Sequence, residues 1–514
     1  MKRILLLVAL SSSLAIAQQP KSNFTMEASY GPHAVGFRVV LQYDYTRSYK
    51  HVDTEGNLVT GERARPIQTL IWYPAQVEKN AKPMLYGRYL DLFATEENSN
   101  VPERDWPAKV MASLKSDYNL KNYGREKVQV TKVFRDAHPE AGQFPALIYA
   151  PSLSATAFEN SDLCEYLASH GYIVVASPDM GAHSRGMTQD LEGIEAQVDD
   201  IEFLIGYLQK IPEADSSHIA VVGFSWGGLS NVFAAMKDDR ISALVGLDGA
   251  IRYRPELVKQ AEEVKILDPN RFTTPYLYLS SKPYTMEELN RMKWTTSYNF
   301  MNELRYNDYY FVQSPTMIHP DFMSYFIRFR EDQYFTDETA AETSENYSWM
   351  ARYALQFLNA YLKGDAGALQ FLKNDPDKNG VPRHLLTIDS RQALHPAANI
   401  PDFSRELAIQ GFDKATEFYQ KVKKDDPAFK LEEVDVNRWG YRLLEINPAK
   451  AVAVFKLNVF IYPESANTYD SLADAQEAAG DKAGAIANYH KSLQLNSDND
   501  HAKARLKELE GEKP

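Results

Sequence analysis

The eleven residues His218 to Gly228, HIAVVGFSWGG, constrain the fold more than any other stretch. Ile219 to Val222 is a short apolar run of buried-strand type, Gly223 to Gly227 spells G-x-S-x-G, and Leu229 to Met236 reads as a helix. A serine lifted onto so sharp a turn needs strained backbone, and the residues two before and two after it must be small for strand and helix to approach. Gly223 and Gly227 meet that need. The turn also aims backbone N–H groups from the start of a helix, so the amide after the serine, that of Trp226, is a candidate oxyanion donor. Framed this way, Ser225 is a candidate nucleophile rather than a residue of an ordinary loop.

The surrounding chain supplies the sheet that such a turn requires. Residues 18 to about 75 read as antiparallel β structure, with Val35 to Asp44 alternating and Thr69 to Tyr73 ending at Pro74. The segment from 76 to 125 is mixed, with a short helix expected at Tyr89 to Phe93. From Phe144 the pattern becomes βαβα. Strands are expected at Ala146 to Tyr149, Tyr172 to Ala176, Ala243 to Leu247, Tyr276 to Ser280 and Tyr309 to Val312, and helices at Phe158 to His170, Ile194 to Leu208 and Trp349 to Leu362. This alternation predicts an α/β fold, a mostly parallel sheet with helices on both faces, whose ligands bind at the carboxyl ends of the strands.

A serine nucleophile needs a base and an acid to orient it. Asp248 ends the strand ALVGL, 23 residues past Ser225, and His319 follows the strand YYFVQ in SPTMIHPDF. Together they give the order Ser, Asp, His used on α/β-hydrolase sheets. His183, in DMGAHSRG, precedes the serine and is the weaker base candidate. The second oxyanion donor is expected in the turn ALIYAPSLSAT, at the Leu153 amide. No H-E-x-x-H or Cys/His cluster suggests a metal, and no cofactor is expected.

These residues carry a resemblance. FPALIYAPSLSATAFENSDLCEYLASHGYIVVASPD, GFSWGG, the acid on the next strand end and H-P-D-F together resemble the exported α/β-hydrolases related to platelet-activating-factor acetylhydrolases and dienelactone hydrolases, over about residues 30 to 365. The resemblance implies a triad of Ser225, Asp248 and His319 and ester hydrolysis through an acyl-enzyme. The chain departs from it at Phe224 and Trp226, where His and Phe are common in the acetylhydrolases, and at the Ser152 turn, which lacks their usual glycine. It also has serine where dienelactone hydrolases use cysteine.

The ends of the chain have a different character. Lys2 and Arg3, an apolar run from Ile4 to Leu10 and the A-x-A step at Ala15 to Ala17 predict a cleavable secretory signal over residues 1–17, hence a secreted or periplasmic protein with no stable membrane insertion. The one cysteine, Cys164, sits at helical spacing and reads as a core residue. Pro- and Gly-rich sequence over 374 to 402 suggests a boundary, giving a hydrolase domain over 18–400 and an all-α region over 401–514. In that region Ala451, Phe455 and Val459 recur as Ala485, Tyr489 and Leu493 at a period of 34, the tetratricopeptide spacing; Ala415, Tyr419 and Pro427 suggest a degenerate third unit. Such repeats offer a face for a protein partner or brace the hydrolase. A net charge of −13 repels nucleic acid. The reading favoured is a serine carboxylesterase acting on a small-molecule ester. An amidase or peptidase on the same fold, or an inert scaffold working through the repeats, are the alternatives.

Overall fold

The computed structural model describes residues 21–50, 57, 60–61, 63–97, 101–117, 122–294, 300–395 and 397–511. The signal peptide expected over 1–17 lies outside these residues. Among them, eleven strands form one sheet: β1 (Ala34–Ser48), β2 (Ala64–Gln76), β3 (Val133–Arg135), β4 (His138–Pro139), β5 (Phe144–Ala150), β6 (Ile173–Ala176), β7 (Ala214–Phe224), β8 (Ile241–Leu247), β9 (Tyr276–Ser280), β10 (Tyr309–Gln313) and β11 (Thr387–Arg391). Neighbours run β11-β10-β9-β8-β7-β5-β6-β2-β1-β3, with β4 set on β2. The strands from β5 to β10 are parallel throughout; β2 runs antiparallel to β1 and β6, and β11 antiparallel to β10.

The continuous apolar runs of the central strands follow from burial on both faces. Along β7, Ala220 and Val222 join the core formed with helices Ser161–Ser169 and Ala340–Leu362. Ile219 and Val221 join the opposite core, with helices Leu191–Leu208 and Gly227–Lys237. Successive side chains point to opposite faces, so one strand feeds two cores, and each fully buried Val or Ile contributes about 1.5–3 kcal/mol. The parallel strands all end at one edge of the sheet. From that edge leave the turns that carry Ser152, Asp179, Ser225, Asp248, Ser281 and His319.

Four differences from the sequence reading bear on the architecture. Strand β2 runs through Pro74 to Gln76, because a proline lacks only its N–H: the Pro74 carbonyl still accepts from the Glu140 N–H at 2.9 Å, and Ala75 pairs with Pro139 of β4. The edge strand β11 falls inside the proline-rich stretch read as a boundary; its sequence TIDSR is almost wholly exposed and shows no apolar alternation. The long helix starts at Ala340 rather than near Trp349, capped by Thr339 and Glu342, each side chain bonding to the other's backbone N–H. The helix expected from Phe158 starts at Ser161, because Glu159 and Asn160 are used in a turn. Near Tyr89 a short helix Gly87–Leu90 continues as the 3-10 turn Asp91–Ala94. Cys164 is buried and unpaired.

Beyond the sheet the chain is all helical: Ile400–Gln410, Ala415–Asp425, Glu433–Leu444, Pro448–Ile461, Ala466–Ala478, Lys482–Leu495 and Asp500–Glu510. Ala451 and Phe455 are buried against Leu472 and Ala475, and Ala485 and Tyr489 against Ala502 and Leu506. Small and aromatic residues 34 positions apart thus fill like places between successive helices. The region meets the sheet domain at Asp426, which takes the Arg305 guanidinium and the Tyr306 hydroxyl, the latter at 2.7 Å. Tyr306 itself lies in the apolar cluster of Phe403, Phe429 and Trp439. Among the described residues, no helix is long and apolar enough to cross a membrane.

Candidate active site

The turn between β7 and helix Gly227–Lys237 is as tight as its glycines imply. A Cβ on Gly223 would stand 2.2 Å from the Gly227 carbonyl oxygen, and one on Gly227 would stand 2.0 Å from that of Ala150. Both obstacles are backbone, so the neighbours cannot yield. Gly227→Ala is therefore expected to cost about 3 kcal/mol or more, seen as a lowered thermal midpoint by circular dichroism together with lost activity; a midpoint equal to the parent's would contradict the close approach. Ser225 has φ of 52°, in the left-handed region where a side chain costs about 1–2 kcal/mol. The turn is held there by the Ser225 N–H on Leu247 O at 3.1 Å and the Ala250 N–H on Ser225 O at 2.7 Å.

The structure brings Ser225, Asp248 and His319 together from three strand ends. His319 Nε2 lies 2.9 Å from Ser225 Oγ, and Nδ1 lies 2.7 Å from Asp248 Oδ2. Asp248 is fully buried, itself at φ of 41°, and its Oδ1 accepts the Ser281 N–H at 3.0 Å and the Tyr253 hydroxyl at 3.2 Å. Burial alone would raise this carboxyl. The His319 hydrogen bond and charge and the Ser281 amide outweigh it, holding Asp248 below its ordinary range. The His319 N–H donates to the Tyr284 hydroxyl at 2.8 Å, and Trp294 and Phe224 stand against the imidazole with ring centroids 5.0 and 5.1 Å away. His183 lies elsewhere, exposed and 3.7 Å from Glu192.

Among the described residues, the amide N–H groups of Leu153 and Trp226 have no intramolecular acceptor, whereas those of Ser152, Ser154, Ala155 and Ser225 each have one. The turn at Leu153 lacks glycine, and Ser154 takes the left-handed place at φ of 55°. Tyr253, Tyr284 and Trp294 come from the two segments, 253 to 272 and 282 to 305, that the sequence reading expects to border the pocket but in which no residue announces a substrate. Segment 76 to 125 reaches the site through Glu96, which binds the Arg185 guanidinium that in turn donates to Ser154 O at 2.9 Å. Ser281, Glu159 and Asp179 escaped the sequence reading; only Asp179 carried a signal, its place in SPD just past a buried strand.

A serine hydroxyl on an imidazole that is oriented by a buried carboxylate can deliver an alkoxide to a carbonyl carbon, and a backbone amide without an acceptor can bind an oxyanion. Residues 121–262 match the family described as Chlorophyllase, a span that takes in Leu153, Ser225 and Asp248 and ends before His319. Among solved structures the chain is similar to a ferulic acid esterase from Streptomyces cinnamoneus, at 16% identity and a TM-score of 0.49, covering 71% of this chain and 98% of that one. No curated protein matches the chain. The likeness to acetylhydrolases and dienelactone hydrolases stays a resemblance carried by the motifs. In fold class the chain is an α/β protein, a mostly parallel mixed sheet between layers of helices, with an all-helical region after it.

Proposed function

We propose that this chain is an exported serine hydrolase that cleaves small carboxylic esters without metal or cofactor. The observation that carries the reading is the unbroken hydrogen-bond chain from Asp248 through His319 to Ser225, at 2.7 and 2.9 Å. The names of the similar family and of the similar structure, a chlorophyllase and a ferulic acid esterase, agree with ester chemistry.

In this mechanism His319 Nε2 takes the Ser225 proton as Oγ attacks the ester carbonyl carbon. The carbonyl oxygen becomes an oxyanion, held by the Leu153 and Trp226 amides. Collapse breaks the ester C–O bond, and His319 gives its proton to the departing alkoxide, which leaves as the alcohol. Water then gives a proton to His319 and attacks the acyl-enzyme; the second collapse returns the proton to Ser225 and releases the acid. Asp248 stays ionised, its job being to fix the tautomer and stabilise the imidazolium. General-base and oxyanion contributions are each worth about 100-fold or more.

Export rests on the leader over 1–17, and purified mature protein would begin at Gln18. Residues 401–514 serve as tetratricopeptide-type repeats offering a face to a protein partner, a role that pull-down with the full chain addresses. The decisive experiment is labelling by a fluorophosphonate, followed by p-nitrophenyl esters of rising acyl length and the matching anilides. We expect one label per chain, lost in Ser225→Ala, and ester turnover well above anilide turnover. No labelling of folded protein would overturn the reading and favour the scaffold alternative.

A further inference from the structure

The turn that presents Leu153 is gripped from both sides by buried acids that take no part in the triad. Glu159, 2% exposed, turns back from the start of its helix: Oε1 accepts the Ser152 N–H at 2.7 Å and Oε2 the Ser152 hydroxyl at 2.6 Å. Asp179, 1% exposed and just past β6, accepts the Ser154 N–H at 2.7 Å, while its own N–H donates to Ala155 O at 2.9 Å. The amide between these two held amides is that of Leu153, the one in the turn with no acceptor among the described residues. The grip extends to the base. Tyr149 hydroxyl donates to Glu159 Oε1 at 2.8 Å; Asn160 Nδ2 donates to that hydroxyl at 2.6 Å and to Phe322 O at 2.9 Å, in the short 3-10 turn that begins with His319. Tyr325 N–H closes the circuit on Glu159 O at 3.0 Å.

A buried carboxylate is costly to keep, and burial pushes Glu159 up to about 7 against the opposing pull of Ser152 and Tyr149. A fold that needed only packing here would be served as well by an apolar side chain. What the acid adds is direction, since both of its oxygens fix one residue of the turn.

We propose that Glu159 and Asp179 are positioning residues for ester cleavage, clamping Ser152 and Ser154 so that the Leu153 N–H meets the developing oxyanion, with Glu159 also tying that turn to the loop of His319. This rests on the serine-hydrolase reading above. A misplaced donor weakens binding of the transition state while leaving binding of the ground-state ester nearly unchanged.

The test measures kcat, KM and the affinity for an alkylboronic acid, a mimic of the tetrahedral state, in the full chain, with active sites counted by fluorophosphonate titration. Glu159→Ala is expected to lower kcat by about 10- to 100-fold and to weaken the boronate in parallel, with KM within about twofold. Glu159→Gln keeps an acceptor for the Ser152 N–H and can donate to the Ser152 hydroxyl, so it is expected to restore kcat to within about threefold of the parent. Parent-like kcat and boronate affinity in Glu159→Ala would overturn the proposal, as would a fall in kcat that Glu159→Gln fails to rescue. Should Glu159→Ala not fold, Ser152→Ala decides: a severalfold loss of kcat at constant KM supports the clamp, and an unchanged kcat refutes it. Failure of the underlying reading looks different, because then the parent protein itself neither labels nor turns over ester.

Discussion

Ser225→Ala is expected to lower the ester-cleavage rate by about four orders of magnitude or more and to leave the protein folded. The size of the loss follows from the unit in which the serine works. Without Oγ there is no acyl-enzyme, and His319 and Asp248 have nothing to activate; what remains is binding and the two free amides. The fold survives because alanine bears the same left-handed backbone as serine at φ of 52°, and among the described residues the hydrogen bond lost from the side chain is the one to His319. The thermal midpoint should stay within about 2 °C of the parent. The measurement is kcat on a p-nitrophenyl ester beside a melting curve. A folded variant that keeps more than a few percent of the rate would remove Ser225 from the chemistry.

Asp248→Asn is expected to cost about 10³- to 10⁴-fold in kcat with little change in stability. Asp248 Oδ1 already accepts two donors, the Ser281 N–H and the Tyr253 hydroxyl, so an asparagine oxygen is held in that place. Its amide group is then forced toward His319 Nδ1, where the carboxylate Oδ2 now stands at 2.7 Å. An amide donates, so Nδ1 must accept, the imidazole proton moves to Nε2, and the nitrogen facing Ser225 no longer has a lone pair for the serine proton. The side chain keeps its shape and loses its function. Fluorophosphonate labelling should slow in proportion to kcat; a variant that labels at the parent rate would show that the acid does not govern the tautomer.

How much of this could be read from the sequence depended on whether a feature is local. The strand, turn and helix around Ser225 are set by residues within a dozen positions of one another, and Gly223 and Gly227 announce the close approach by their lack of a side chain. The βα alternation likewise gave the parallel core, because strands buried on both faces are apolar at every position. The edge strand β11 was invisible for the opposite reason: at a sheet margin the backbone ladder, not side-chain burial, decides pairing. The run of β2 through Pro74 was hidden because proline reads as the end of a strand, although it lacks only its N–H. Of the site, chain order suggested Ser225, Asp248 and His319, but their meeting depends on the sheet placing β7, β8, β9 and β10 side by side. Glu159 could not be found from spacing at all, and Asp179 showed only its place just past a buried strand, with nothing to say what it holds. Their roles exist only where the ends of β5 and β6 adjoin, and a glutamate at the head of a helical pattern reads as part of that helix. The cap formed by Thr339 and Glu342 is the exception, a local signal present in T-x-x-E that the apolar period further along overshadowed.

The distance along the chain between nucleophile and base has its own consequence. His319 lies 94 residues beyond Ser225, with Asp248 and three whole strands between them. A chain that has built the elbow but not yet laid β9 and β10 against β8 holds a serine with no base, as inert as any surface hydroxyl. On the proposed reading, hydrolytic power arises at the end of assembly rather than with its first nucleus, and an incompletely folded polypeptide has none. Turnover in such a molecule doubles as a gauge of whether its sheet has been completed.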